Sequence, residues 1–238
     1  MGRGRDCSSS CWGCGLAKRP SAVRSSDLAI LEKRSVAASE RDEWARAAWR
    51  TSVAGVVDTS RLVFVDEMGA NTSLCPLYAY SPRGRRAHAK VPRNRGKNTT
   101  LLASMTAEGM GPCVAVEGTT TSAVFEAYVE QVLVPTLRPG QAVVLDNLSS
   151  RDGGTVRELV ESRDCELLFL PPYSPDLNPI EEAFSKVKGL LQRAGARTRE
   201  ALIEAMGQAL DAVTSRDARG YLEHCGYRSA AQPPRQLN

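Results

Sequence analysis

Short apolar segments that end at an acidic residue limit most strongly what this chain can fold into. RLVFVDE, which starts at Arg61, and QAVVLDN, which starts at Gln141, are rich in valine and run into Asp66 and Asp146. A third apolar run, CELLFL, starts at Cys165 and leads into the stiff segment PPYSPDLNP. Continuous apolar runs of this length are typical of strands buried within a sheet. The pattern therefore predicts a sheet that is covered by helices.

Helical spacing of apolar residues accompanies these strands. One helix is predicted over 179–194, where Ile180, Phe184, Val187 and Leu191 form the apolar face. Further helices are predicted over 121–137, 155–163, 199–213 and 215–224, and further strands over Leu74–Tyr80, Thr99–Thr106 and Pro112–Val116, with turns at 81–84 and 108–109. Strands first, followed by alternating helices and strands, indicate a mixed α/β sheet flanked by helices.

The region before the first strand differs in character. Residues 1–25 are rich in Gly, Ser, Arg and Cys and predict an unstructured leader. Residues 27–50 predict a helix, in which Ser39 followed by Asp42 resembles a capping box. One face of that helix would carry Trp44, Ala47 and Ala48.

The sequence does not predict a membrane protein or a secretory protein. No apolar run approaches the roughly 18 residues that a membrane-spanning helix needs, and no apolar core follows the basic N-terminus as it would in a secretory signal. The seven cysteines are an odd number, and most are scattered singly, as expected of reduced thiols in a cytoplasmic protein. Cys7, Cys11 and Cys14 lie close together but lack a fourth ligand nearby, so we interpret them as part of the leader.

Basic residues are concentrated in two stretches of this 238-residue chain, whose formal net charge is only +4. From Met68 to Ala107 there are seven Lys or Arg and no acid, and from Ala183 to Arg199 there are five and no acid. Local excess of this kind favours a polyanionic partner. A solvated surface is the ordinary alternative.

Three carboxylates stand out as candidate ligands. Asp66 and Asp146 end separate strands, and Glu181 opens a helix after the proline-rich segment. Ligands usually lie at the carboxyl edge of an α/β sheet, and a set of carboxylates suits Mg²⁺ or Mn²⁺. Each acid also has a structural interpretation. The aspartates can begin turns, and Glu181 can complete a capping box in which Asn178 is the N-cap and Pro179 occupies the first helical position.

Second acids follow two of the three candidates. Glu67 on a strand would point to the face opposite Asp66, and Glu182 would be turned away from Glu181 and could pair with Lys186. Asp66 and Glu181 are therefore the preferred ligands.

These residues resemble the mariner-type DDE transposases, in the bacterial insertion-sequence branch. LFLPPYSPDLNPIEEAFSKVK, from Leu168 to Lys188, resembles the signature that carries the family's third acid, here Glu181. The second acid opens a D-N motif at a strand end, here Asp146, and 34 residues separate it from Glu181, as in that branch. The segment FVDE supplies the first acid, Asp66. The resemblance covers about Leu62 to Arg228.

The resemblance implies a ribonuclease-H-like fold and cleavage of DNA at element ends, followed by strand transfer. It implies that Asp66, Asp146 and Glu181 are catalytic and hold two Mg²⁺ or Mn²⁺ ions, with Asn147 in support. DNA would be the partner, and a homodimer is a candidate assembly. Phosphate contacts are predicted for these basic residues: Arg83, Arg85, Arg86, Lys90, Arg93, Arg95, Lys97, Arg151, Lys186 and Lys188.

Two departures from the family pattern bear on activity. Arg151 stands where close relatives carry a histidine, and arginine cannot shuttle a proton at neutral pH. Helix-turn-helix modules precede the catalytic domain in the family, whereas 1–25 resembles no folded module and 26–60 resembles the linker that follows them. We accordingly divide the chain into a leader (1–25), a helical linker remnant (26–60), a catalytic domain (61–228) and a tail (229–238).

Two alternatives remain beside a DDE transposase catalytic domain. A truncated regulator would bind DNA or a partner transposase without catalysis, which the missing recognition modules favour. A host ribonuclease-H-like nuclease would act on hybrids or junctions, although PPYSPDLNPIE argues against it.

Overall fold

A five-stranded mixed sheet forms the centre of the molecule, as seen in a computed structural model that describes residues 38–76, 80–88, 90, 97–146 and 153–228. The strand order is β3-β2-β1-β4-β5, with β1 antiparallel to β2 and parallel to β4. The strands are β1 (Leu62–Ala70), β2 (Thr99–Thr106), β3 (Gly109–Glu117), β4 (Ala142–Leu145) and β5 (Glu166–Phe169).

Helices cover both faces of this sheet, as the apolar strands require. They are α1 (Glu43–Trp49), α2 (Ser122–Tyr128), α3 (Gly153–Glu161), α4 (Pro179–Ala194), α5 (Arg199–Asp211) and α6 (Ser215–His224). A π-helical turn, Arg50–Ala54, follows α1, and α2 continues through a π turn and a 3₁₀ turn to Thr136. Short 3₁₀ turns also lie at Thr59–Arg61 and Pro175–Leu177.

Alternation along β1 assigns its side chains to two cores. Phe64 and Met68 pack with α4, α5 and α6 on one face. Val63 and Val65 pack with α2 and α3 on the other face. Because successive residues of a strand point to opposite faces, Asp66 lies on the same face as Phe64 and Met68, which is the face that α4 covers.

Most of the predicted elements are confirmed. β2 has the predicted bounds, β3 contains the predicted strand, and α4 spans the predicted 179–194 with its apolar face buried. The turn at 81–84 is closed by the Arg85 amide, which donates to the Pro82 carbonyl over 3.0 Å. Four cysteines are described, and all four are free thiols.

The strand predicted over Leu74–Tyr80 is wrong for its described residues, Leu74–Pro76 and Tyr80, which belong to no strand. The reason lies in a distant side chain. The Arg197 guanidinium donates to the carbonyls of Thr72 and Leu74, at 2.9 and 3.0 Å. These carbonyl oxygens therefore bond to an arginine instead of to a neighbouring strand.

The prediction of a helix over 27–50 is wrong in three respects. Of its described residues, 38–42 belong to no helix, and α1 begins at Glu43. Its N-cap is Asp42 rather than Ser39, because the Asp42 carboxylate accepts from the amides of Trp44 and Ala45, at 2.9 and 3.0 Å. Its apolar face is turned to solvent, with Trp44 88% exposed. The buried face instead carries Arg46, which forms a double hydrogen bond with Asp176.

The segment around α1 shares its core with the sheet. Trp49, Val53 and Ala54 belong to the same buried cluster as Phe64, and all described residues lie within one compact unit. The predicted leader (1–25), the tail (229–238) and the Cys7, Cys11 and Cys14 group lie outside the described residues. Within the described ranges, no helix combines the length and apolar character needed to cross a membrane.

Candidate active site

The register between β1 and β4 places two of the candidate acids side by side. The parallel pairing runs from Leu62 opposite Ala142 to Val65 opposite Leu145. Asp66 and Asp146 are the next residues on the two strands. Neighbouring strands lie about 4.8 Å apart, so the two aspartates occupy neighbouring positions at the point where β4 ends.

Asp66 does not end its strand, as the sequence pattern predicted. β1 continues to Ala70, where it is paired with β2, and Asp66 itself stands opposite Ala103. The strand ends only with respect to β4, whose last residue is Leu145. Asp66 therefore marks the point at which one of the two neighbouring strands stops, and its carboxylate points to the face of the sheet that α4 covers.

Two donors hold the Asp66 carboxylate. Its Oδ1 accepts from the Glu67 amide at 2.7 Å, and its Oδ2 accepts from the Asn178 side-chain amide at 2.9 Å. Burial raises the pKa of Asp66 to about 7, against a lowering by the Glu67 amide, and the negative charges of Glu181 and Asp146 raise it further. Glu181 and Asp146 thus each lie within electrostatic reach of Asp66.

Glu181 projects from the first turn of α4 and is exposed to solvent. Pro179 occupies the start of that helix as predicted, and an acid at this position also faces the positive end of the helix dipole. The capping box does not form, because the Asn178 side chain makes no cap hydrogen bond and is used on Asp66 instead.

The donor set suits a hard divalent cation in its chemistry, since carboxylate oxygens are the ligands that Mg²⁺ and Mn²⁺ prefer. A buried carboxyl such as Asp66, whose pKa is raised by its acidic neighbours, is a group that a cation would hold in its ionised form. In the part of the chain that the structure describes, no three His, Cys, Asp or Glu side chains are grouped so that they could hold a metal ion. Asp146 and Glu181 act electrostatically on Asp66 without forming such a group with it.

Glu67 and Glu182, the acids that follow Asp66 and Glu181, are placed away from those two carboxylates. Glu67 is exposed on the opposite face from Asp66, as predicted. The predicted pairing of Glu182 with Lys186 is wrong, because Glu182 contacts the His224 ring. The Lys186 ammonium donates to the Ala212 carbonyl and to Asp217, each at 2.8 Å.

The structure describes some, but not all, of the residues that were predicted to contact phosphates. Four of them, Arg83, Arg85, Arg86 and Lys90, are exposed. Lys97 is exposed and lies 3.4 Å from Glu117, and Lys188 is half-buried. Lys186 would have to leave Asp217 to reach a phosphate. Arg93, Arg95 and Arg151, and the supporting Asn147, lie outside the described residues.

The loop between β5 and α4 is anchored by residues that the sequence did not single out. Asp176 accepts two hydrogen bonds from the fully buried Arg46, at 2.9 and 2.6 Å. The Leu177 carbonyl accepts from the Tyr227 hydroxyl at 2.7 Å, and that hydroxyl accepts from the Trp49 indole at 2.9 Å. These contacts fix the backbone that leads into Asn178 and Glu181.

A family model described as DDE superfamily endonuclease matches residues 61–203, which is more than half of the chain. No curated protein sequence matches it. The matched range contains β1 to β5 and all three candidate acids.

Several solved structures of similar fold are Mos1 complexes. The mariner Mos1 paired end complex with Mg superposes with a TM-score of 0.66 at 18% identity, covering 84% of this chain and 64% of that one. The pre-cleavage Mos1 transpososome gives 0.64 at 17% identity, covering 83% and 64%. The Mos1 strand transfer complex gives 0.63 at 20% identity, covering 83% and 63%. This chain thus spans less than two thirds of those chains, and the likeness confirms the predicted ribonuclease-H-like mixed α/β fold.

Proposed function

The chain belongs to the DDE superfamily endonucleases, and from this membership we propose that it is the catalytic part of a transposase of the mariner type, in the bacterial insertion-sequence branch. It would cut DNA at the ends of a mobile element and join those ends to target DNA. The observation that supports the proposal is the position of Asp66 and Asp146, which directly follow the paired stretch of β1 and β4, together with the electrostatic effect of Glu181 on Asp66, all within the range matched by the family.

Each acid has a defined part in this proposal. Asp66 and Asp146 would hold divalent metal from adjacent strands, and Glu181 would close the site from the start of α4. When bound, a pair of such ions activates the attacking oxygen and stabilises the leaving oxygen of a phosphodiester. Asn147 would support Asp146. The choice of Mg²⁺ or Mn²⁺ is supported by solved Mos1 structures that contain these metals.

The partner in this proposal is DNA. The exposed residues Arg83, Arg85 and Arg86 lie in a stretch without acids, where they would contact phosphates without reading sequence. One related structure is a paired end complex, which supports a homodimer that holds two element ends.

Nicking of duplex DNA in Mn²⁺ tests the proposal. We expect the purified chain to nick a supercoiled plasmid, and we expect D66N, D146N and E181Q each to lower the rate at least about 100-fold, as loss of a transition-state charge contact does. E67Q is the matched control, because it removes the neighbouring carboxylate from the opposite face and should retain wild-type nicking. Nicking that persists in D146N would contradict the assignment.

A non-catalytic regulator of transposition is the second candidate function. It is favoured by one observation, namely that the described side chains form no ready group of three metal ligands. Titration of Mn²⁺ by calorimetry separates the two. A transposase should bind the ion with an affinity that D66N and E181Q weaken at least about tenfold, whereas a regulator should bind DNA with no acid-dependent metal binding.

A further inference from the structure

We propose that Asn178 is a positioning residue that ties the helix carrying Glu181 to the strand carrying Asp66. This inference rests on the proposed function, since it concerns the geometry of the same acids. Asn178 would act through Asp66 and Glu181 and would not itself touch the substrate.

The first support is the contact that Asn178 makes. Its side-chain amide donates to Asp66 Oδ2 over 2.9 Å, and the residue is only 4% exposed. The other oxygen of Asp66 accepts from the Glu67 amide. With one donor on each oxygen, the carboxylate is held in a single orientation, as supporting hydrogen bonds around active sites commonly achieve.

The second support is the place of Asn178 in the chain. It is the N-cap residue of α4, and its carbonyl accepts from the Glu181 amide at 3.2 Å. The side chain and the main chain of one residue therefore contact two of the three acids. Asn178 thus links the strand that carries Asp66 to the helix that carries Glu181.

The third support is that Asn178 forgoes the usual use of its side chain. Asparagine at an N-cap normally accepts a hydrogen bond from a backbone amide of the first turn, which stabilises the helix. Here that bond is absent, and the side-chain amide of Asn178 donates to Asp66 instead. The loop before it is fixed by Asp176 and Leu177, so the amide is delivered to Asp66 by a rigid backbone.

This geometry demands a donor at position 178, which distinguishes it from a simple capping role. Aspartate is an N-cap residue as good as asparagine and has the same shape, but it has no amide to donate. Serine also caps well but is too short to span the same gap. A capping role therefore tolerates both replacements, and a positioning role tolerates neither.

The test measures DNA nicking by N178D and N178S at about pH 8.5, where carboxyls are ionised. We expect kcat to fall at least about tenfold and the Mn²⁺ concentration for half-maximal rate to rise at least about threefold, with KM for DNA unchanged. N71D is the matched control. It introduces the same charge at Asn71, whose side-chain oxygen accepts from the Ser73 amide, and it should nick like the wild type. Wild-type kcat and Mn²⁺ dependence in both N178D and N178S would overturn the proposal.

Thermal unfolding supplies a readout that does not depend on activity. The double variant D66N/N178D restores a donor and an acceptor with their places exchanged. We expect its Tm to exceed that of N178D by at least about 3 °C, a shift of about 1 kcal/mol for a chain of this size. A Tm no higher than that of N178D would refute the contact. A wild-type chain that does not nick would instead refute the proposed function, while this coupling remained measurable.

Discussion

The ion pair between Arg46 and Asp176 predicts an unequal response to the loss of either partner. Arg46 is fully buried and donates twice to Asp176, whose side chain is 47% exposed. The pair holds the pKa of Asp176 below its usual range, chiefly through the hydrogen bonds from Arg46. D176A would leave a guanidinium buried without its main partner. R46M would leave a carboxylate that water can still reach.

The magnitude follows from the burial of each partner. Breaking a fully buried pair costs about 3–5 kcal/mol, and an exposed pair is worth about 0–1 kcal/mol. Because Asp176 is half exposed and Glu43 also lies 3.5 Å from Arg46, we expect D176A to cost about 2–3 kcal/mol. For a chain of this size the Tm should fall by about 5–10 °C. R46M should cost about 1 kcal/mol or less, since replacing a buried charge by an apolar side chain is often neutral.

Circular dichroism on heating and in urea measures both variants. E161Q is the matched control, because its exposed pair with Arg157, at 3.3 Å, should be worth no more than about 0.5 kcal/mol. A D176A variant that loses no more stability than E161Q, or a R46M variant that loses more than D176A, would refute this reasoning.

Two further predictions concern pH and salt. Burial and the charges of neighbouring acids raise the pKa of Asp66 to about 7, so its contribution to stability is complete below about pH 4 and is lost as pH rises through 7. In EDTA, D66N should therefore reduce the fall in unfolding free energy between pH 4 and pH 8 by roughly 2–4 kcal/mol. Equal urea profiles for D66N and wild type across this pH range would contradict the prediction. Replacing Arg83, Arg85 and Arg86 together by alanine should lower the slope of log binding constant against log salt by about 2–3 for duplex DNA, as measured by fluorescence anisotropy, and an unchanged slope would remove these residues from the interface.

Elements with strong local signals were predictable from the sequence. The apolar face of α4 repeats with helical spacing, and Pro179 marks its start, so its bounds follow from local chemistry. The strands β4 and β5 are short apolar runs, and β4 is buried throughout as its composition predicts, whereas β5 lies at the edge of the sheet and buries only Leu167 fully. The neighbouring positions of Asp66 and Asp146 follow from parallel pairing once both strands are identified.

Features that depend on distant partners were not predictable. The face that α1 buries is decided by Arg46, whose partner Asp176 lies 130 positions away. Because Arg46 is charged, the sequence pattern does not indicate that it is buried, and the pattern predicts burial of the opposite face instead. Asn178 carried a signal, but the signal was ambiguous, since asparagine before a proline is equally typical of a helix cap. Only the three-dimensional arrangement shows that its amide is used on Asp66.

The length of β4 explains why an acid in the middle of β1 can serve as a site residue. Asp66 has β2 beside it on one side, with Ala103 as its partner, so it is held as firmly as any residue within the sheet. On the other side β4 has already ended at Leu145. Asp146 directly follows the end of β4 and so stands next to Asp66. The Asp66 side chain points out of the sheet toward α4, where Asn178 donates to it. β2 thus supports the backbone of Asp66 while its carboxylate reaches the start of the helix that carries Glu181.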